Sequence, residues 1–415
     1  MIVTILFVEN VQIQVISKCR IKLSRRRGAM KNKLCMHSNI VFGIDSAIDI
    51  TSNLDSKLRD VGIVIDSGLN RNPHVAKTMD YLHSECKVVH VQWHNTEHEP
   101  TYNDVDHLAE VFRDLSIDFI LGIGGGTVLD LAKGIGILYT NPGQAIDYRG
   151  SDKVQKAPLP VVLVPTTAGT GSEVTKTASF IDTKSKTKLG INGKNVSCSL
   201  AVLDPIFLLS CPKSVTVSSG LDVLVHAIEA VTCRSANSLS RLLGAEAFSI
   251  MRGALVDAVH NPQDIDIREQ TLLASYYAGL AMSMAGGGIS SGLSYPLGVD
   301  YGVPHGLAGG LSIPSVCNLC HSLGYYEGYA YIYDIASKEK RADMPIKEKS
   351  ASFLESLKDL YLCIGLSKTL RSFGVSDQDV ASLAKKTFED RKANMDLNPT
   401  PVEISHLENI IREIL

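Results

Sequence analysis

No run of 18 or more apolar residues occurs in this chain of 415 residues, so a membrane-spanning helix is not expected. Charge of one sign is also missing. The 41 Lys and Arg stand against 44 Asp and Glu for a formal charge of −3, which gives no overall attraction to nucleic acid or an anionic membrane. Neither is expected as a partner, and a small neutral or mildly polar ligand is the natural one. A disulfide framework is lacking too: nine cysteines, an odd number scattered over a long chain, read as reduced thiols of a cytoplasmic protein. What is present is a globular composition, with 45% hydrophobic and 20% charged residues, which excludes disorder and suits two or three domains.

Two segments invite over-reading. Cys317-Asn-Leu-Cys320-His321 has the C-x-x-C-H spelling of covalent haem attachment, but its flanks read as a continuous helix, so a helical turn carrying two thiols is expected. Residues 1–29 place a short apolar run, Met1 to Val8, ahead of Lys18, Arg20, Lys22, Arg25, Arg26 and Arg27, with Glu9 as the one acid. A secretory signal has the reverse order. The segment reads as an unstructured or misassigned extension, with Met30 as an alternative start and a mitochondrial transit peptide as the weaker alternative.

From Asn39 short apolar strands alternate with amphipathic segments, the rhythm of a parallel sheet covered by helices. Strands are predicted at 61–66, 86–91, 118–126 and 160–164, and helices at 73–83, 105–115 and 127–138. The strand Asp118 to Gly126 runs into three glycines, Gly124, Gly125 and Gly126, at the carboxyl end where open α/β sheets bind ligands. Thr127 is expected to cap the next helix with Asp130 as its acidic partner, leaving free N–H groups for an anion such as a pyrophosphate. The spelling is not G-x-G-x-x-G, because Thr127 holds the last glycine position. A second loop, Pro165-Thr-Thr-Ala-Gly-Thr-Gly-Ser-Glu173, adds hydroxyls and backbone access beside the first.

After Cys211-Pro212 long helical patterns dominate, at 221–232, 239–259, 267–284, 347–363 and 401–415. Domain boundaries are therefore predicted at 30–212 for an α/β dinucleotide-binding part and 213–415 for an all-helical part, with the reactive cleft between them. Asp222 and His226, four residues apart, leave one face of a helix and can share a metal ion. His305, between Pro304 and Gly306, sits in what reads as a rigid turn suited to a third ligand. An Asp/His/His set fits Fe(II), Zn or Mn.

These residues carry a resemblance. Over residues 36–415 the chain resembles the iron-containing, or group III, alcohol dehydrogenases, with glycerol dehydrogenases and dehydroquinate synthases as more distant kin. The likeness rests on Ile40-Val-Phe-Gly43, Gly124-Gly-Gly-Thr-Val-Leu-Asp130, Pro165 to Glu173, Asp222-x-x-x-His226-Ala-Ile-Glu229, Tyr295-Pro-Leu-Gly298, Pro304-His-Gly306 and Asn398-Pro-Thr400. It implies a Rossmann-like parallel sheet followed by a helical domain, the dehydroquinate synthase-like architecture. It also implies NAD(P)-dependent interconversion of a small alcohol and an aldehyde or ketone. Pyrophosphate would rest on Gly125, Gly126 and Thr127, with Asp130 grouped beside them and with Thr166, Thr167, Thr170 and Lys188 as further cofactor contacts. Asp66 matches a position where an acid favours NAD, since it accepts from the ribose 2′-OH and repels a 2′-phosphate.

The resemblance further implies a divalent ion, Fe or Zn, held by one Asp and three His. Asp222, His226 and His305 match three of the four. Ser291 stands at the fourth position and Tyr295 where the family has a further histidine. A serine hydroxyl is a poor neutral ligand, so weaker metal binding is expected. Tyr295 becomes the candidate catalytic residue, able to hydrogen-bond the substrate oxygen or relay its proton, or else simply to line the pocket. Two alternatives stay open: a nucleotide-binding relative that has lost its metal and its catalysis, or other chemistry on the same scaffold. The family's habit of dimerising leaves room for a homodimer.

Overall fold

A computed structural model describes residues 38–415 except 55–58, 97 and 338–342; the extension expected over 1–29 lies outside the described residues. The strands, in chain order, are β1 (Asn39–Phe42), β2 (Asp60–Asp66), β3 (Val88–His94), β4 (Phe119–Gly124), β5 (Gly150–Ser151), β6 (Val161–Pro165), β7 (Thr177–Asp182), β8 (Thr187–Asn192) and β9 (Leu200–Leu203). Six form a parallel sheet in the order β1-β9-β6-β4-β2-β3, and three form a small sheet, β5-β8-β7, built on the antiparallel β7/β8 hairpin. Every residue of β4 and β6 is buried, which explains their unbroken apolar sequences: a parallel sheet covered on both faces has no side to give to water.

Register places the two polar loops together. Gly124 at the end of β4 lies opposite Pro165 at the end of β6, and the Thr166 amide donates to the Gly124 carbonyl at 3.0 Å. Both loops therefore leave the same edge of the sheet, side by side.

Three helices cover this sheet: α1 (Pro73–Glu85), α2 (Tyr102–Arg113) and α3 (Gly126–Thr140). Helix α1 is capped by Asn72, whose Oδ1 accepts from the His74 and Val75 amides, and α2 by a reciprocal Thr101/Asp104 box. The cap expected at Thr127 is not formed. Helix α3 begins one residue earlier, with Gly125 as its N-cap and no side chain capping it. A Cβ on Gly126 would come within 2.6 Å of Thr170, so the glycine is what lets the helix start pack under the neighbouring loop. Asp130 is turned away from the helix start: Ser172 Oγ donates to it at 2.5 Å and the Ser179 amide at 2.8 Å.

The carboxyl-terminal half is helical: α4 (Lys213–Thr232), α5 (Ser238–His260), α6 (Ile265–Ala285), α7 (Ile289–Tyr301), α8 (His305–Ser322), α9 (Glu327–Ala336), α10 (Ile346–Ile364), α11 (Val380–Asp390), α12 (Lys392–Leu397) and α13 (Ile404–Glu413). Helix α4 is long and apolar enough to cross a membrane by composition, with a mean hydropathy of 1.3, yet 78% of that stretch is buried in this protein. From Gly220 onward it is buried throughout as the central rod of the helical core, mostly apolar because other helices pack around it. Cys317 and Cys320 lie buried on α8 as free thiols, as the helical reading of the C-x-x-C-H segment expects.

Candidate functional site

Helix geometry brings the first two ligand candidates together. Asp222 and His226 occupy successive turns of α4, both buried, with His226 Nε2 3.4 Å from Asp222 Oδ1. His305 does not sit in the turn expected from Pro304 and Gly306. It is the first residue of α8, with Pro304 as the N-cap, because the fixed backbone angle of proline suits a helix start. Gly306 then decides how close α8 comes to α4: a Cβ there would lie 2.1 Å from the Ser218 carbonyl and 2.7 Å from Asp222 Cβ. With no side chain in the way, His305 joins the pair. One ligand atom from each of Asp222, His226 and His305 lies within 4.8 Å of the others.

Electrostatics keep the set ready for a cation. Burial, then the nearby Lys188 charge, drives the His305 pKa down to about 3, with only Asp222 pulling it back, so the imidazole is neutral and offers a lone pair. Nδ1 of His226 and Nδ1 of His305 are both buried without a hydrogen-bond partner. A carboxylate and two imidazoles with unmet polar capacity fit a borderline divalent ion.

Ser291, expected to stand in the fourth ligand position, is committed elsewhere. Its hydroxyl donates to Glu229 Oε2 at 2.5 Å, while the amides of Gly288, Ser290 and Ser291 donate to the same carboxylate at 2.7, 2.8 and 3.2 Å. Glu229, the last residue of the Asp222-to-Glu229 motif, thus caps the start of α7 from a buried position on α4. Burial pushes its pKa up, and the Ser291 hydroxyl and the Gly288 and Ser291 amides oppose that rise.

Tyr295, one turn along α7 from Ser291, sets its ring edge-on to His305 at 5.2 Å between centroids. The Arg391 guanidinium lies over the same ring, 3.4 Å from its centroid, and Lys188 Nζ is 5.5 Å away. The Tyr295 hydroxyl makes no hydrogen bond to any described residue, so it is available to a ligand.

The expected dinucleotide residues line the loops above α3. Gly125 faces Thr167, Gly126 faces Thr170, and Thr127 follows in the first turn of α3. Thr166 is buried between the loops. Gly169 packs so closely on Ser219 of α4 that a Cβ would meet it at 2.7 Å, which sets the threonine loop one turn from Asp222. Asp66 ends β2 with its carboxylate accepting from the Gly68 amide at 2.8 Å and Thr96 Oγ1 at 3.0 Å, which leaves acceptor capacity for a ribose hydroxyl. Lys188, on β8, is paired with Glu99 at 2.6 Å; burial alone would lower its pKa, but Glu99, together with Tyr295 and Asp130, outweighs this and the net shift is upward.

Comparison with known proteins agrees with this geometry. The sequence model described as iron-containing alcohol dehydrogenase matches residues 37–205, and that of the Fe-containing alcohol dehydrogenase family, C-terminal, matches residues 216–415. The chain is 30% identical to the NAD-dependent methanol dehydrogenase of Bacillus methanolicus over 76% of its length and 82% of the relative's. It is 30% identical to a 1,3-propanediol dehydrogenase of Citrobacter freundii, over 85% of this chain and 90% of that one. This chain belongs to the iron-containing alcohol dehydrogenase family. A crystal structure of a 1,3-propanediol oxidoreductase superimposes with a TM-score of 0.85 at 26% identity, covering 93% of this chain and all of that one. As a family member, this alcohol dehydrogenase interconverts an alcohol and an aldehyde or ketone by hydride transfer.

Four residues of the site escaped sequence reasoning. Glu99, Arg391 and Arg149, which joins Lys188 and Arg391 in lining the pocket beside Tyr295, come from loops and element ends far apart in the chain, and no local pattern marks them. Glu229 lay inside a quoted motif, and its signal was available: it is a third step along α4 from Asp222 and His226, on a helix otherwise apolar at its centre.

Proposed function

We propose that the protein is a metal-assisted, NAD-dependent alcohol dehydrogenase whose divalent ion, Fe(II) or Zn, is held by Asp222, His226 and His305. The observation that carries this reading is the gathering of those three side chains, from two helices, within 4.8 Å of one another and one tyrosine ring from an open pocket. When bound, the ion would polarise the substrate oxygen and the nicotinamide would exchange the hydride. Three protein ligands leave room for water and substrate, as in catalytic rather than structural sites.

The remaining work falls to the chain itself. Gly125, Gly126 and Thr127 present free amides at the start of α3 to the pyrophosphate, where the helix dipole adds attraction. Thr166, Thr167 and Thr170 close over it, Lys188 contributes a cation, and Asp130 steadies the threonine loop through Ser172. Asp66 supports NAD over NADP by repelling a 2′-phosphate. Tyr295, with an uncommitted hydroxyl beside His305, donates a hydrogen bond to the substrate oxygen and holds the proton exchanged there. Residues 30–212 serve as the dinucleotide-binding domain and 213–415 as the metal and substrate domain. The free thiols Cys86, Cys198, Cys211, Cys233, Cys317, Cys320 and Cys363 support a reducing, cytoplasmic setting.

The test combines elemental analysis of protein purified without chelator with nicotinamide absorbance over an alcohol and aldehyde panel. Stoichiometric Fe or Zn, activity lost on chelation and restored by metal, and a Tyr295→Phe variant about 100-fold lower in kcat at little-changed KM are expected. An enzyme that takes up no metal, or turns over no alcohol or carbonyl after metal is restored, refutes the reading.

A further inference from the structure

Beside Tyr295 lies a pocket of about 120 Å³, small against the roughly 300–1,000 Å³ that suits drug-sized ligands and therefore matched to a short carbon chain. Its wall is out of keeping with a chain of net charge −3: Arg149, Lys186, Lys188, Lys386 and Arg391 line it against a single acid, Asp390. Three of these cations already have carboxylates. Lys188 is paired with Glu99 at 2.6 Å, Arg149 with Asp182 at 3.1 Å and Lys386 with Asp300 at 2.6 Å. Arg391 has none among the described residues. Its guanidinium lies over the Tyr295 ring, with Cζ 3.4 Å from the centroid, and is steadied by one bond to the Lys188 carbonyl at 3.3 Å, while Nε is buried without a partner. Lys186, exposed at the tip of the β7/β8 hairpin, adds a second unneutralised charge at the rim.

A guanidinium held against an aromatic ring, with no carboxylate partner among the described residues and its Nε unmet, is arranged to receive a planar or tetrahedral anion. Its position matters as much as its charge. Tyr295 has His305 at its edge and Arg391 over its face, so its ring stands between the Asp222/His226/His305 cluster and the pocket, whose lining includes Tyr295 and Arg391 and none of those three; a substrate that spans both passes this ring and brings its far end to Arg391. We propose that the substrate is a short alcohol or aldehyde carrying an anionic group at the far end, a carboxylate, sulfonate or phosphonate, and that Arg391 is the residue that selects it. This departs from the neutral ligand that overall composition suggests, because the local wall reverses the sign of the molecule as a whole. It rests on the dehydrogenase reading above, and the test separates the two.

Metal-loaded enzyme with NADH is assayed on succinic semialdehyde and on butanal, equal in carbon number and different in terminal charge. Succinic semialdehyde is expected to have a kcat/KM at least 10-fold higher, with that advantage shrinking as ionic strength rises. Arg391→Met should bring the ratio to within about threefold of unity, and Lys186→Glu, whose side chain is exposed, should lower it in the same direction. Calorimetry of succinate against 1,4-butanediol binding to the holoenzyme gives a readout independent of turnover, with succinate expected to bind and the diol not. Turnover of both aldehydes without preference for the anion overturns the proposal and leaves the dehydrogenase reading standing. Absence of turnover on either strikes that reading, and succinate binding then still decides the proposal. A change in Arg391→Met confined to the KM for NADH would assign the guanidinium to the dinucleotide and also overturn it.

Discussion

A hydroxyl and an imidazole differ as ligands in basicity, and Ser291 shows what the chain does with the weaker one. Instead of leaving the hydroxyl facing a cation, the fold binds it to Glu229, where with three amides it completes the cap of α7. The carboxylate holds that helix start in place, and α7 in turn carries Tyr295. Ser291→His should therefore have two separable effects. Metal affinity, read by competition with a chromophoric chelator, should rise at least 10-fold from the added donor, in line with the typical weight of groups around a metal site. Thermal stability of the metal-free protein should fall by about 1 kcal/mol from the lost hydrogen bond. Unchanged affinity would mean that the position does not face the ion.

At the scale of elements, the site depends on how closely α8 lies against α4. Gly306 and Gly310 face Ser218 and Leu221 with no room for a methyl group, so the helix that begins with His305 is held against the helix carrying Asp222 and His226. Gly306→Ala should push the two helices apart, lowering stability by about 1–3 kcal/mol and metal affinity with it. The control is Gly253→Ala on the exposed face of α5, where nothing lies within 4 Å; there the added methyl should raise stability by about 0.5–1 kcal/mol and leave metal uptake unchanged. Equal melting shifts for the two would show that the α4–α8 contact is not what positions His305. The same packing explains what the sequence concealed. Strand β4 and its glycine turn were legible because a buried parallel strand is continuously apolar and its end is marked by glycine. Helix α7 and the first turns of α8 were not, since Pro296 and the glycines on either side of His305 read locally as helix breakers while close packing requires small residues there; only the end of α8 around Cys317 to His321 read as helical. Asp222 and His226 were legible from helical spacing alone. Arg391 meets Tyr295 only through tertiary structure, and no period or motif announces that.

For the molecule as a whole, folding traps ionisable groups beneath the cofactor loops, and this couples stability to pH. Asp130 and Lys133, 3.8 Å apart on α3, lie close to Glu173 at the end of the threonine loop; Lys133 also donates to the Thr177 carbonyl at 2.7 Å. Burial, only partly offset by a hydrogen bond from its own backbone amide and by the Lys133 charge, raises the Glu173 pKa from 4.5 to about 7, and its Oε1 has no partner. Between those two values the folded protein keeps a proton that the unfolded chain has released, so stability from this group is full below about pH 4.5 and is lost as pH rises to about 7. His305 runs the other way: its lowered pKa makes acid destabilising from about 6.5 down to about 3. The two slopes oppose one another in native protein, so only a variant separates them. Glu173→Gln should match the native protein near pH 4 and exceed it in urea denaturation at pH 8, by up to about 3 kcal/mol, with the gap opening across the interval between. The measurement belongs to the metal-free, cofactor-free protein, where no ligand contributes. A difference that stays level from pH 4 to 8 would mean that Glu173 ionises as an ordinary surface carboxylate, and that the floor beneath the dinucleotide loops is wetter than its packing indicates.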